Sequence, residues 1–181
     1  MFLRQEYDEC LSVIDRMMNS PSDKSEYSMF IKAMILRIKG NIHDSLELFK
    51  KCHLLDPLNC DYLKQFGRSL YLLGWHKAAI DVYEECLKLN QNDWEVYYFK
   101  GLSYKYLWIY EEAILNFKKA NSVKKHDSTY CELGKVYTAM LDYKQAIEVY
   151  LEGLEFSPEN PEILTTIGLL YIRAGENFQA F

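Results

Sequence analysis

One spacing constrains this chain more than any other feature. Small residues recur at Ala33, Gly67, Gly101, Gly134 and Gly168, separated by 34, 34, 33 and 34 positions. A second small series, Ser45, Ala79, Ala113, Ala146 and Ala180, has the same separations. Aromatic residues mark a third, Phe49, Tyr83, Phe117 and Tyr150. Gly40, Gly74 and Gly175 follow the first series by seven positions and mark expected turns. Series sharing one phase predict a stack of similar supersecondary units, each unable to bury its apolar face alone.

Within a unit, apolar residues fall three and four apart on both sides of a short turn, which predicts two helices. In residues 60–93, Leu63, Phe66, Gly67 and Leu70 form one stripe, and Ala79, Val82, Tyr83, Cys86 and Leu87 form the other. Gly67 and Ala79 are expected where two helix backbones approach closely. Asp56-Pro57, Asn92-Asp93 and Ser157-Pro158-Glu159-Asn160-Pro161 lie between units, where helices must stop. The glycine phase sets full repeats at 26–59, 60–93, 94–126 and 127–160. Residues 1–25 then hold a C-terminal half-repeat and linker, with Tyr7, Cys10, Ile14 and Met17 on the apolar face of a helix over 3–19. Residues 161–181 hold a truncated repeat. The array reads as an excerpt without capping helices, so Phe178 and Phe181 are expected to fray or to bury against another copy.

The pattern resembles the tetratricopeptide repeat, whose G-x2-Y, A-x3-F and late-proline signature is met by Gly134-Lys-Val-Tyr137, Ala146-x3-Tyr150 and Pro158. The resemblance implies an all-α tetratricopeptide-repeat α-solenoid, a right-handed superhelix of helical hairpins.

Chemistry has little support in the sequence. There is no G-x-G-x-x-G, G-x4-G-K-[ST], H-E-x-x-H or G-x-S-x-G, so no catalytic residue and no cofactor is assigned, and the chain is not read as an enzyme. The histidines His43, His53, His76 and His126 sit at turns or helix ends without metal-ligand spacing. Cys52-His53 with Cys60 comes nearest to a metal cluster, yet Cys52 holds a small helix position and Cys60 opens the next helix, so no metal is assigned. Glu84-Glu85 and Glu111-Glu112 are adjacent pairs that point apart, read as solvated charges. Five cysteines without a C-x-x-C pair suit reduced thiols in a cytoplasmic protein. With 21 Lys+Arg against 26 Asp+Glu the net charge is −5, which lowers the expectation of nucleic acid or an anionic membrane as partner. The apolar run Ile163–Ile172 is about half the roughly 20 residues a bilayer requires, so no direct membrane insertion is expected. The N-terminus lacks the pattern of a secretory leader.

Tyrosine is abundant, 15 of 181 residues. Tyr83, Tyr104, Tyr137, Tyr150 and Tyr171 fall at repeat positions read as core. A second stripe on the first helix of each unit, at unit positions 2, 5, 9, 12 and 13, is rotated away from the packing stripe. It carries six cations against three anions, and in tetratricopeptide arrays it lines the concave groove. Arg37, Lys64, Arg68, Tyr71, Tyr98, Lys105, Lys135 and Arg173 are therefore the candidate partner-binding residues, suited to an acidic or amphipathic peptide. The alternative is a solvated groove with no particular ligand.

Some tetratricopeptide relatives are set aside on residues. A carboxylate clamp requires Asn on the groove stripe, and none occurs there. An Asn ladder at unit position 6 is replaced by Ile31, Gln65, Phe99, Glu132 and Thr166. Longer segments, such as Leu63-Lys-Gln-Phe-Gly-Arg-Ser-Leu-Tyr-Leu-Leu-Gly74, Leu87-Lys-Leu-Asn-Gln-Asn-Asp-Trp94 and Phe156-Ser-Pro-Glu-Asn160, resemble the tetratricopeptide subunit family of the BBSome. That resemblance implies a non-enzymatic scaffold in a coat-like complex carrying membrane proteins to and from cilia. BBSome subunits and pericentriolar satellite proteins would be its partners, and the cilium, basal body and centriolar satellites its locations. A generic tetratricopeptide adaptor in a cell-cycle ligase or co-chaperone, and the regulatory array of a larger enzyme, are the rival readings.

Overall fold

A computed structural model describes residues 2–18 and 26–179. It contains α1 (Phe2–Met18), α2 (Glu26–Ile38), α3 (Ile42–Leu55), α4 (Cys60–Leu72), α5 (His76–Leu89), α6 (Trp94–Tyr106), α7 (Tyr110–Val123), α8 (Asp127–Ala139), α9 (Tyr143–Phe156) and α10 (Pro161–Gln179). Among the described residues there is no strand. Two compact units result, Met1–Gln91 and Asn92–Phe181. In the first, α2 packs on α3 and α4 on α5, with α1 against α2; in the second, α6 packs on α7 and α8 on α9, with α10 against α9.

Local chemistry sets the helix starts. The Asn59 side chain accepts a hydrogen bond from the Asp61 amide at the head of α4, and Asp93 accepts from the Glu95 and Val96 amides at the head of α6. Asp142 does the same for Gln145, and Asn160 for Glu162 and Ile163. Each cap satisfies amides the first helical turn leaves without an intrahelical partner. Between the helices of the first two hairpins the backbone turns through Gly40 and Gly74, at φ +89 and +77, conformations glycine adopts without strain.

The packing corrects the role assigned to the small residues. A Cβ built at Gly67 would lie 2.5 Å from the Tyr83 ring, at Gly101 2.8 Å from Phe117, and at Gly134 2.4 Å from Tyr150. The glycine thus makes room for the aromatic ring 16 positions later, on the returning helix. Ser45, Ala79, Ala113 and Ala146 are themselves fully buried, as are Ala33 and the aromatic series Phe49, Tyr83, Phe117 and Tyr150. Side chains packed at this density leave no slack for an added methyl group.

The last helix departs from expectation for the same reason. No atom lies within 4 Å of a Cβ at Gly168, because no aromatic side chain of a returning helix meets it among the described residues. Gly175 lies inside α10 instead of at a turn. Tyr171 is 57% exposed rather than core, and Tyr104 is half-buried. At the other end only Ile14 of the expected apolar face of α1 is buried, and α1 packs chiefly on α2. The structural position Ala180, the side chains of Phe178 and Phe181, and the linker at 19–25 lie outside the described residues.

The buried thiols have a structural explanation. Cys52 Sγ lies 3.7 Å from the Glu26 carbonyl, and Cys86 Sγ lies 3.4 Å from that of Cys60, so each thiol sits against the first residue of the preceding helix. Burial and the nearby Glu26 charge push the Cys52 thiol up to about 11, keeping it protonated and able to donate. Among the described residues no group of His, Cys, Asp and Glu is arranged to hold a metal ion.

Candidate partner-binding surfaces

In the first unit the candidate stripe is partly consumed by packing. Phe30 is half-buried against Phe49 and Tyr62, with ring centroids 5.7 and 5.3 Å away. Arg37 lies 5.2 Å above the Phe49 ring, donates to the Gln65 carbonyl at 3.2 Å, and donates to the Gln65 side-chain oxygen. Burial and the neighbouring Arg68 charge lower the Arg37 guanidinium to about 10, so it remains charged at neutral pH while being fixed across α2 and α4. Lys64 pairs with Asp61 one helical turn back at 3.5 Å, a surface pair of small energetic weight. Arg68 is exposed, and Tyr71 is half-buried with its ring 5.5 Å from His76. The structure thus brings Arg37 and Arg68 into one electrostatic neighbourhood and ties Tyr71 to the second helix of its hairpin.

In the second unit Tyr98 belongs to an aromatic cluster, with ring centroids 6.2, 5.3 and 5.9 Å from Trp94, Phe99 and Phe117. Leu102 and Cys131, also on the stripe, are buried. Lys105 and Lys135 are joined through a residue absent from the stripe. Glu132 accepts from Lys105 of α6 with one carboxylate oxygen and from Lys135 with the other at 3.1 Å. Lys135 also reaches Glu162 of α10 at 3.0 Å. Burial pushes the Glu132 carboxyl up, but the hydrogen bonds and charges of the two lysines outweigh it and hold the group below its ordinary value. Lys135 is held above its ordinary value, its two glutamates outweighing desolvation. Arg173 stands exposed on α10, away from this network.

Gln65 and Glu132 are the polar residues that sequence reasoning missed. Both occupy unit position 6, one residue beyond the stripe position 5. Glu132 lies three residues before Lys135, a spacing that signals contact on a helix. The consequence is chemical: the candidate cations Arg37, Lys64, Lys105 and Lys135 already have acceptors within the chain.

Paired helices of nearly constant length, nested by small residues, define a class. The chain has the all-α solenoid fold of tetratricopeptide repeats: a family described as "Tetratricopeptide repeat" matches residues 65–93, and one described as "TPR repeat" matches residues 134–175. Its more particular likeness is to BBSome complex member BBS4. The chain is 45% identical to that protein of Mus musculus over 95% of its length and 33% of the relative's. To that of Bos taurus it is 44% identical over 99% of its length and 35% of the relative's. The chain therefore spans about a third of the length of these curated relatives. Among solved structures, MamA residues 41-end from Desulfovibrio magneticus RS-1 superposes with a TM-score of 0.79 at 20% identity, covering 88% of this chain and 90% of that one. At that identity the likeness concerns the fold alone.

Proposed function

We propose that the chain is part of a non-enzymatic protein-interaction scaffold of the BBSome type, which helps to move membrane proteins to and from cilia. Its similarity to BBSome complex member BBS4 along nearly its whole length is the observation that carries this reading. Its partners are then other BBSome subunits and, through the same scaffold, pericentriolar satellite proteins, and its locations are the cilium, basal body and centriolar satellites. The physical basis is that stacked helical hairpins offer extended, rigid surface at little cost in ordering entropy when a partner docks. No helix of the described residues is long and apolar enough to cross a membrane. Arg37, Lys64, Arg68, Tyr71, Tyr98, Lys105, Lys135 and Arg173 are the proposed partner-facing residues. Lys64 and Arg68 stand on one helix, α4, which makes them the pair to test together.

The test is affinity capture of the tagged chain from ciliated cells, read by mass spectrometry, beside the double charge reversal Lys64→Glu and Arg68→Glu. BBSome subunits are expected to copurify with the parent and to fall severalfold with the double variant, while helicity and melting stay unchanged. Unaltered capture would remove those two residues from the surface. Absence of every BBSome subunit would end the reading.

A further inference from the structure

The four inter-helix turns of the hairpins occupy equivalent repeat positions, and the residues there differ in kind. Gly40 and Gly74 take the left-handed conformation in the first unit, whereas the second unit places Trp108 at φ 63 and Leu141 at φ 62. A bulky side chain in that region is strained, and such strain tends to persist where a site uses it. Both side chains also face solvent, Trp108 at 77% and Leu141 at 71% exposure. Packing therefore does not explain either residue, and glycine would serve the turn better.

Trp108 forms one wall of an open groove of about 340 Å³, completed by Lys105, Tyr106, Tyr110, Lys135 and Ala139. The size is at the lower end of ligand clefts, which run to roughly 300–1,000 Å³, and suits a short peptide stretch rather than a folded domain. The Trp108 and Tyr110 rings stand edge to face, centroids 6.1 Å apart at 63°, and Lys105 Nζ lies 5.3 Å from the Tyr106 ring centre. The two lysines that border the groove are matched by Glu132 and Glu162, so it presents aromatic faces with no uncompensated charge. An ionic ligand would have to break those pairs, whereas an uncharged one stacks on the rings at no electrostatic cost.

We infer that this groove, with Trp108 as its anchor, docks an uncharged proline-rich extended segment of a partner protein. Polyproline II segments are preformed and lose little entropy on docking, and angled aromatic walls are the surface that receives them. The inference rests on the scaffold reading above and deepens it at Lys105 and Lys135, apart from Lys64 and Arg68. The two fail separately, because capture of BBSome subunits does not depend on a synthetic peptide.

The experiment titrates fluorescein-labelled decaproline with the 181-residue chain and follows anisotropy. Saturable binding is expected, weakened about tenfold or more in Trp108→Gly, as for an interface anchor. That variant's melting temperature is expected to match or exceed the parent's, because glycine accepts the positive φ without strain. Tyr110→Ala is a second variant, expected to weaken binding severalfold. No saturation up to millimolar peptide, or equal binding by Trp108→Gly, would overturn the inference. So would stronger, Trp108-dependent binding of a glutamate-rich decapeptide, Trp108-dependent sedimentation with phosphatidylserine vesicles, or Trp108-dependent self-association, each of which gives the groove a different occupant.

Discussion

Gly134 and Gly168 stand 34 residues apart at the same place in the repeat, and the structure treats them oppositely. Gly134 is buried with the Tyr150 ring filling the space of a missing side chain, and Tyr150 donates from its hydroxyl to the Cys131 carbonyl at 3.3 Å. Gly168 faces nothing within 4 Å and is exposed. The requirement for a small residue therefore comes from the helix that returns against it, not from the repeat position. What holds α10 differs accordingly. Ile163, Ile167 and Leu170 are buried on one face, and Lys135 ties Glu162 to α8, but the face bearing Gly168, Leu169 and Ile172 is open.

The sharpest way to break this comparison is Gly134→Ala. The new methyl group would sit 2.4 Å from the Tyr150 ring, and the helix pair is expected to lose about 1–3 kcal/mol, read as a lower denaturation midpoint. Unchanged stability would mean that the ring and the glycine do not nest.

Glu132→Gln comes next, at about 1–2 kcal/mol, because it removes the charged acceptor of Lys105 and leaves Lys135 with Glu162. This carboxyl titrates lower in the folded chain than in the unfolded one. Its contribution is therefore complete above the unfolded value and is lost as pH falls through the folded one. Denaturant melts from neutral to acid pH are expected to show the parent losing stability relative to the Gln variant below about pH 4.5. A constant difference across that range would detach Glu132 from the lysines.

The smallest effect has the opposite sign. Gly168→Ala adds a better helix former where no neighbour objects, and is expected to stabilise α10 by about 0.5–1 kcal/mol, read in the same melts. Destabilisation would imply a partner helix at this face.

The pairing of helices was legible because its signals are local. Gly40 and Gly74 mark turns that require left-handed backbone, and Asn59, Asp93 and Asn160 are side chains that cap helix starts. The candidate stripe was less legible. Helical periodicity places Arg37, Tyr98 and Lys105 on one face, but it does not reveal that Phe49 and Gln65 hold Arg37, that Phe117 receives Tyr98, or that Glu132 neutralises Lys105. The absence of glycine at 108 and 141 was visible as a gap in the turn series. Its meaning was not, because a gap does not report which backbone conformation the substituted residue keeps.

By itself the amino-acid order determined that paired helices follow one another at a constant period, since hydrophobic spacing, caps and turn residues act within a few positions along the chain. Tertiary structure alone decided which glycine nests a ring and which lies open, which lysine is matched and which strained aromatic faces solvent. Those outcomes depend on residues 16 to 27 positions apart meeting across helices, and no local rule carries distance or burial.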